Sequence, residues 1–164
     1  MPVQPHPQKN NLSITVLLLG LFLAAGLFSS QAQAGATDQG SYQLFLKHYD
    51  SLLDKYVAPV ETAGITYNGV NYNGWARDPA HDTALKALKR ADPAQLDTEH
   101  DKLAFWINAY NFLTIDLIID KGERESIKNL GGLFSSPWTK YEWQISDNKY
   151  TLDEIEHEII RPMG

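Results

Sequence analysis

The sequence contains no cysteine. This absence excludes disulfide bonds, thiolate metal sites and a thiol nucleophile within the chain. Basic residues are also outnumbered, with 14 Lys and Arg against 20 Asp and Glu, and the net charge is −6. A surface of that sign repels phosphate backbones, so we expect no nucleic-acid partner.

The sequence also lacks the short motifs that carry well-understood chemistry. It has no Gly-rich phosphate loop, no Gly-x-Ser-x-Gly elbow and no His-Glu-x-x-His pair. We therefore predict no metal site, and no motif in the sequence indicates which cofactor, if any, the protein binds. His48, His81 and His100 are isolated on polar faces, where we expect them to be exposed.

The amino-terminal segment has the order of a secretory signal. Lys9 precedes an apolar run over residues 14–28, and small residues follow up to Ala34. The run is shorter than the roughly 20 residues that span a bilayer. We predict a signal peptide over residues 1–34 and a single domain over residues 35–164. The chain would then be exported to the periplasm or the extracellular space, and it would contact a membrane only through the signal before cleavage.

Hydrophobic spacing predicts the main elements of the domain. Residues 42–57 have helical spacing, and Asn68-Gly69 predicts the tight turn of a hairpin within residues 65–72. Asp78 is positioned to cap a second, short helix. Residues 103–119 are apolar almost all round, which predicts a buried central helix.

The end of the chain shows two further patterns. Apolar and polar residues alternate over residues 141–145, which predicts a strand, and Thr151 begins a capping box for a last helix. Together the patterns predict an α+β domain, mainly helical, around one buried central helix, with a small antiparallel sheet from the Ile65 and Tyr141 regions.

Two amides interrupt the apolar central helix. Asn108 and Asn111 are three residues apart on one face, so we expect both to be largely buried and hydrogen-bonded. One interpretation is that they fix how segments pack. The other is that they orient a ligand or a catalytic group in a pocket beside Tyr110.

The last helix is rich in charged residues. Asp153, His157 and Arg161 are four residues apart and share a face of a regular helix, which favours an ion-paired surface stripe. The alternative is that His157 is a general base.

The central and last helices also carry an unusual string of residues, KLAFWINAYN over residues 102–111 and TLDEIEH over residues 151–157. With these strings, the stretch from about Gly69 to Arg161 resembles the bacterial domain-of-unknown-function family 547. In that family the Ile-Glu-His helix is followed by an Arg-x-His segment and two cysteines. The resemblance therefore implies a member truncated after Gly164. The motif positions it marks are Trp106, Asn108, Tyr110, Asn111, Glu156 and His157.

Two functions are compatible with these observations. The first is a binding or interaction module of the bacterial envelope, with a small molecule or an envelope protein as partner; Trp106, Tyr110, Asn111 and Glu156 would contact it. The alternative is a truncated hydrolase- or transferase-like enzyme. In that case His157 would be the base beside Asn108, and the nucleophile would lie beyond Gly164.

Overall fold

The computed structural model describes residues 36–123, 125–132 and 136–164. The predicted signal segment lies outside these residues. The described residues all fall within one compact unit, Gln31–Gly164.

The first helix, α1, covers Ala36–Tyr56 and confirms the helical spacing of the sequence. Its inward side chains are Tyr42, Phe45, Tyr49 and Leu52, all buried. Their alternating separations of three and four residues place them on one stripe. The chain leaves the helix at Val57, just before Pro59.

A hairpin follows α1 directly, but its turn is not the predicted one. Strands β1, Val57–Thr62, and β2, Ile65–Val70, pair in antiparallel register, and Ala63-Gly64 forms the turn. Both turn residues have positive φ, 52° and 79°, as a type I′ turn requires.

Asn68-Gly69, predicted as this turn, lies inside β2. A Cβ on Gly69 would lie 2.6 Å from Cγ2 of Val60, so the glycine allows close cross-strand packing instead. The register begins where α1 ends, since Asn71 N donates to Tyr56 O over 2.8 Å. This tertiary constraint overrides the local turn preference of Asn-Gly.

A carboxylate joins α1 to the next helices. After the single turn α2, Tyr72–Trp75, helix α3 covers Ala80–Arg90. Asp78 Oδ1 accepts from the backbone N–H of Ala80 over 2.9 Å, which confirms the predicted cap. Its other oxygen accepts from Lys55 Nζ and Tyr56 Oη, each over 3.0 Å.

The central helix, α4, covers Glu99–Lys121. Thr98 caps its first turn by accepting from Asp101 N, and Gly122 ends it in the left-handed conformation with φ 64°. By length and composition alone α4 is apolar enough to cross a membrane. Core helices meet the same criterion, and here the α4 side chains Phe105, Phe112 and Leu113 are buried in the core.

Aromatic rings bring α1 and α4 together. The Phe112 ring meets the rings of Phe45 and Tyr49 edge-on, at centroid distances of 5.3 and 5.5 Å. Phe105 lies 5.0 Å from Tyr42. Edge-to-face contacts of this kind add to the free energy gained from burying the rings.

The short elements after α4 lead to a second hairpin. Residues Ile127–Leu130 form a 3₁₀ turn, and α5, Pro137–Lys140, is a single helical turn. Strands β3, Glu142–Ile145, and β4, Asn148–Thr151, then pair in antiparallel register. The strand predicted over residues 141–145 is confirmed. The mainly helical α+β class with antiparallel pairing is confirmed, but the two hairpins form separate two-stranded sheets and not the single sheet expected from the Ile65 and Tyr141 regions.

The last helical segment is continuous but irregular. It begins with α6, Leu152–Glu154, continues through a π-helical turn over Ile155–Ile160 and ends with α7, Arg161–Met163. We call residues 152–163 the C-terminal helix. The predicted capping box is confirmed, because Thr151 Oγ1 accepts from Glu154 N and Glu154 Oε2 accepts from Thr151 N.

Candidate functional site

The C-terminal helix meets α4 through a carboxylate. Glu156 Oε2 accepts a hydrogen bond from the Tyr110 hydroxyl over 3.0 Å, and Glu156 Oε1 accepts from Arg161 Nη2 over 2.9 Å. We call Tyr110, Glu156 and Arg161 the Glu156 cluster. It brings together two of the predicted binding residues, Tyr110 and Glu156, from segments 46 positions apart.

The π-helical turn builds this cluster. In a regular α-helix, residues five apart point about 140° away from each other. Here the backbone N–H of Arg161 donates to Glu156 O, five residues back, so the two side chains come onto one side. Pro162 follows directly. Because its ring would clash with the carbonyl four residues earlier in a regular helix, a wider turn before it relieves that contact.

The predicted ion-paired stripe of Asp153, His157 and Arg161 is therefore wrong. Arg161 pairs with Glu156, and His157 Nδ1 lies 3.8 Å from the same carboxylate oxygen, beyond hydrogen-bond reach. The His157 side chain is 46% exposed and the Arg161 side chain 64%. Both groups therefore face solvent at the rim of the Glu156 cluster.

The cluster shifts the titration of its own members. The Arg161 guanidinium and the Tyr110 hydroxyl hold the pKa of Glu156 below its usual value. Burial, followed by the neighbouring Glu156 carboxylate, raises the pKa of Tyr110, and the charge of Asp153 adds to that effect. Near neutral pH the cluster therefore consists of an ionised carboxylate, a protonated phenol and a guanidinium.

An indole completes the surroundings of the cluster. Trp138, half-buried at the turn α5, lies close enough for its N–H to lower the pKa of Tyr110 against the effect of burial. The Tyr110 phenol thus has two neighbours, the Glu156 carboxylate and the Trp138 indole. A carboxylate has about four lone-pair directions, so two hydrogen bonds do not saturate it.

The predicted amides lie elsewhere on α4. Asn108 and Asn111 are both partly buried, and neither is fully enclosed. Asn108 Nδ2 donates to the Tyr42 hydroxyl on α1 at 3.5 Å. Positions 108 and 110 point about 200° apart on a helix, so Asn108 faces α1 while Tyr110 faces the C-terminal helix.

His157 and Asn108 are consequently not brought together by the described residues. One lies beside Glu156, and the other contacts Tyr42. Their catalytic roles stay a prediction. Trp106 is buried, with its ring 4.9 Å from that of Tyr150 in β4, so it anchors the second hairpin against α4.

A buried polar network that the sequence patterns did not predict joins four side chains: Trp75, His81, Asp116 and Trp143. His81 is 7% exposed, so the expectation that it is exposed is wrong. Its Nε2 lies 2.9 Å from Asp116 Oδ1, and its Nδ1 accepts from the Trp75 indole over 3.0 Å. The Trp143 indole donates to Asp116 Oδ2 over 2.7 Å. His100 is exposed as expected, and His48 is half-buried.

The hydrogen bonds fix the tautomer of His81. An indole N–H can only donate, so Nδ1 of His81 is unprotonated and Nε2 carries the hydrogen that Asp116 accepts. Both ring nitrogens are thereby engaged, and neither can take a proton from a substrate. The His81–Asp116 pair is structural, and it ties α3, α4 and β3 together.

One signal in the sequence indicated this network. Asp116 is an acidic residue in an apolar helix, and a buried carboxylate needs N–H donors. The identity of those donors depends on contacts 35 and 27 positions away along the chain. Among the described residues, no group of three or more His, Asp or Glu side chains is arranged to hold a metal ion.

Comparison with known proteins bears on the second half of the chain. Residues 93–163 match the family described as "Protein of unknown function, DUF547". No curated protein and no solved structure matches the chain. The match begins at Pro93, later than the resemblance near Gly69 suggested, and it includes the whole Glu156 cluster. Residues 93–163 therefore carry the DUF547 family pattern, and the resemblance noted in the sequence is confirmed for this part of the chain.

Proposed function

We propose that this chain is an exported protein whose folded part is a binding module, and that the Glu156 cluster receives a ligand with a cationic group. The observation that carries the proposal is an ionised, half-exposed carboxylate held between a phenol and a guanidinium, with an indole next to the phenol. π-Helical turns such as the one beneath it occur frequently at functional sites.

The local charge favours a cation over an anion. The C-terminal helix carries four carboxylates, at Asp153, Glu154, Glu156 and Glu158, against a single arginine. The net charge of the whole chain has the same sign.

In the free protein, the Arg161 guanidinium occupies the place beside Glu156 that a ligand cation would take. Its side chain is 64% exposed, and exposed ion pairs contribute only about 0–1 kcal/mol. A ligand cation can therefore replace the guanidinium at Glu156 at little cost in stability. The carboxylate itself stays positioned by Tyr110, whose hydroxyl is held at the packed surface between α4 and the C-terminal helix.

Benzylammonium tests this proposal, with uncharged benzyl alcohol as the matched probe. We expect saturable NMR shifts of the Trp138 indole N–H with the ammonium, at about millimolar affinity for so small a ligand, and no saturable shift with the alcohol. Arg161→Ala should strengthen binding, since the ligand no longer competes with the guanidinium.

The variants Glu156→Gln and Glu158→Gln separate the site from general surface charge. Both remove one carboxylate from the same helix, but Glu158 is exposed and lies outside the Glu156 cluster. Binding should be lost in the first and retained in the second. Equal responses to ammonium and alcohol, or equal binding by the two variants, would refute a cation site at Glu156.

Export is tested separately, by amino-terminal sequencing of the chain recovered from a bacterial host. We expect the processed protein to begin at Gly35 and to appear in the periplasmic fraction. An intact amino terminus in the cytoplasmic fraction would contradict export without bearing on the cation site.

A further inference from the structure

The hairpin of β1 and β2 leaves large apolar side chains in water. Every residue from Ala58 to Asn68 is exposed. Val60, Ile65 and Tyr67 are 39%, 67% and 49% exposed. The register places all three on one face of the hairpin, since Val60 is opposite Tyr67 and Ile65 is opposite Thr62. This exposed face belongs to a two-stranded sheet with two outer edges.

The two edges differ in their hydrogen-bonding groups. In a hairpin with a two-residue turn, Thr62 and Ile65 are a hydrogen-bonded pair, and such pairs alternate along the strands. The outward groups of β1 therefore include the nitrogen of Pro59, which has no hydrogen, and those of β2 include the N–H groups of Thr66 and Asn68. Proline and charge protect edge strands from further pairing, and β1 carries both, with Glu61 beside Pro59.

The β2 edge has no such protection. Its sequence, ITYNGV, contains neither proline nor charge and is rich in β-branched and aromatic residues. We propose that β2 pairs antiparallel with β2 of a second copy of this chain, around a two-fold axis at Tyr67, to form a four-stranded sheet. Such self-complementary contacts are typical of two-fold homodimers.

The register of this pairing follows from the outward groups. Thr66 of one copy exchanges both backbone hydrogen bonds with Asn68 of the other, and Tyr67 faces its own counterpart in a non-hydrogen-bonded pair. Ile65 then lies opposite the Gly69 of the second copy, so a large side chain meets a small one. The exposed apolar faces of the two hairpins join into one.

Charge supports a second copy as the occupant. Each chain carries a net charge of −6, but the 14 residues of the hairpin include only one charged side chain, Glu61. That residue is on β1, on the far side of each hairpin from the shared edge. Two copies therefore meet at this edge without bringing like charges together.

The absence of native cysteine makes a direct test possible in the full chain. In the proposed pair, the Cα atoms at position 67 are about 4.5 Å apart, within the range that a disulfide spans. Tyr67→Cys should therefore form a disulfide-linked dimer under mild oxidation. Val60→Cys is the matched control, because it is exposed on the same face but lies on β1.

We expect Tyr67→Cys to cross-link about tenfold faster than Val60→Cys, because pairing holds two thiols together only at position 67. Adding Asn68→Pro removes an outward N–H and should reduce the rate to that of the control, with circular dichroism confirming the fold. A position-specific rate distinguishes this edge from association through any other segment. Equal cross-linking rates at positions 67 and 60, or a cross-linking rate that Asn68→Pro leaves unchanged, would overturn the proposal.

Discussion

Replacing Asp116 by alanine removes the acceptor that two buried donors share among the described residues. The His81 Nε2–H and the Trp143 indole N–H both donate to this carboxylate, over 2.9 and 2.7 Å. A buried donor left without a partner costs about 1–3 kcal/mol, so two such donors cost about 2–6 kcal/mol. Removing the buried charge also removes its own desolvation penalty. We therefore expect Asp116→Ala to lower the free energy of unfolding by about 2–4 kcal/mol.

Asp120→Ala is the matched control, one helical turn further along α4. Asp120 is 63% exposed and pairs with Lys121 at the surface, so its removal should change the free energy of unfolding by about 0.5 kcal/mol or less. Both variants replace the same residue type in the same helix. The difference between their free energies of unfolding therefore reports the burial and hydrogen bonding of Asp116, because the change in helix propensity is the same in both variants.

Urea unfolding followed by far-ultraviolet circular dichroism measures both variants. Combining Asp116→Ala with Trp143→Phe completes a double-mutant cycle, in which we expect a coupling of about 1–3 kcal/mol because the two groups share a hydrogen bond. If Asp116→Ala costs no more free energy of unfolding than Asp120→Ala, or if the cycle shows no coupling, the network does not stabilise the fold.

Three further predictions concern the ends of helices. Gly122→Ala places a Cβ on a residue with φ 64°, so it should lower the thermal midpoint by the equivalent of about 1 kcal/mol in the free energy of unfolding. An unchanged midpoint would mean that α4 does not end in this left-handed conformation. Thr151→Ala removes the capping box with Glu154 and should cost about 0.5–2 kcal/mol in urea unfolding; no loss would show that the C-terminal helix does not depend on it. The backbone N–H of Ala80, and then Lys55, lower the pKa of Asp78. The ionised Asp78 carboxylate therefore stabilises the fold near neutral pH, and this stabilisation is lost as the pH falls below about 4. Thermal midpoints from about pH 5 to pH 2 should therefore fall less steeply in Asp78→Asn than in the parent chain, and parallel curves would contradict this.

Local patterns were sufficient to predict several elements. The stripe of Tyr42, Phe45 and Tyr49 predicted α1, and the caps at Asp78 and Thr151 predicted where two helices begin. In each case the determining interaction lies within four residues along the chain. Such interactions can be inferred from the sequence because few alternatives satisfy the same backbone groups.

Features decided by distant contacts could not be predicted in the same way. His81 has polar neighbours in the sequence, and only the packing of α3 against α4 and β3 buries it. Asn68-Gly69 has a stronger intrinsic preference for a turn than Ala63-Gly64, but the hairpin register is set by its junction with the end of α1. The Glu156 cluster depends on a π-helical turn, which spacing rules for regular helices do not include.

That turn lets the C-terminal helix keep one ion pair across an additional residue. A π-helical turn is equivalent to one residue inserted into an α-helix, and deleting a single residue between Glu156 and Arg161 would allow a regular helix to form. Glu156 and the arginine would then be four residues apart, on one face of a regular helix. The pairing of guanidinium and carboxylate would survive such a deletion, whereas a regular helix with every residue kept would point the two groups about 140° apart.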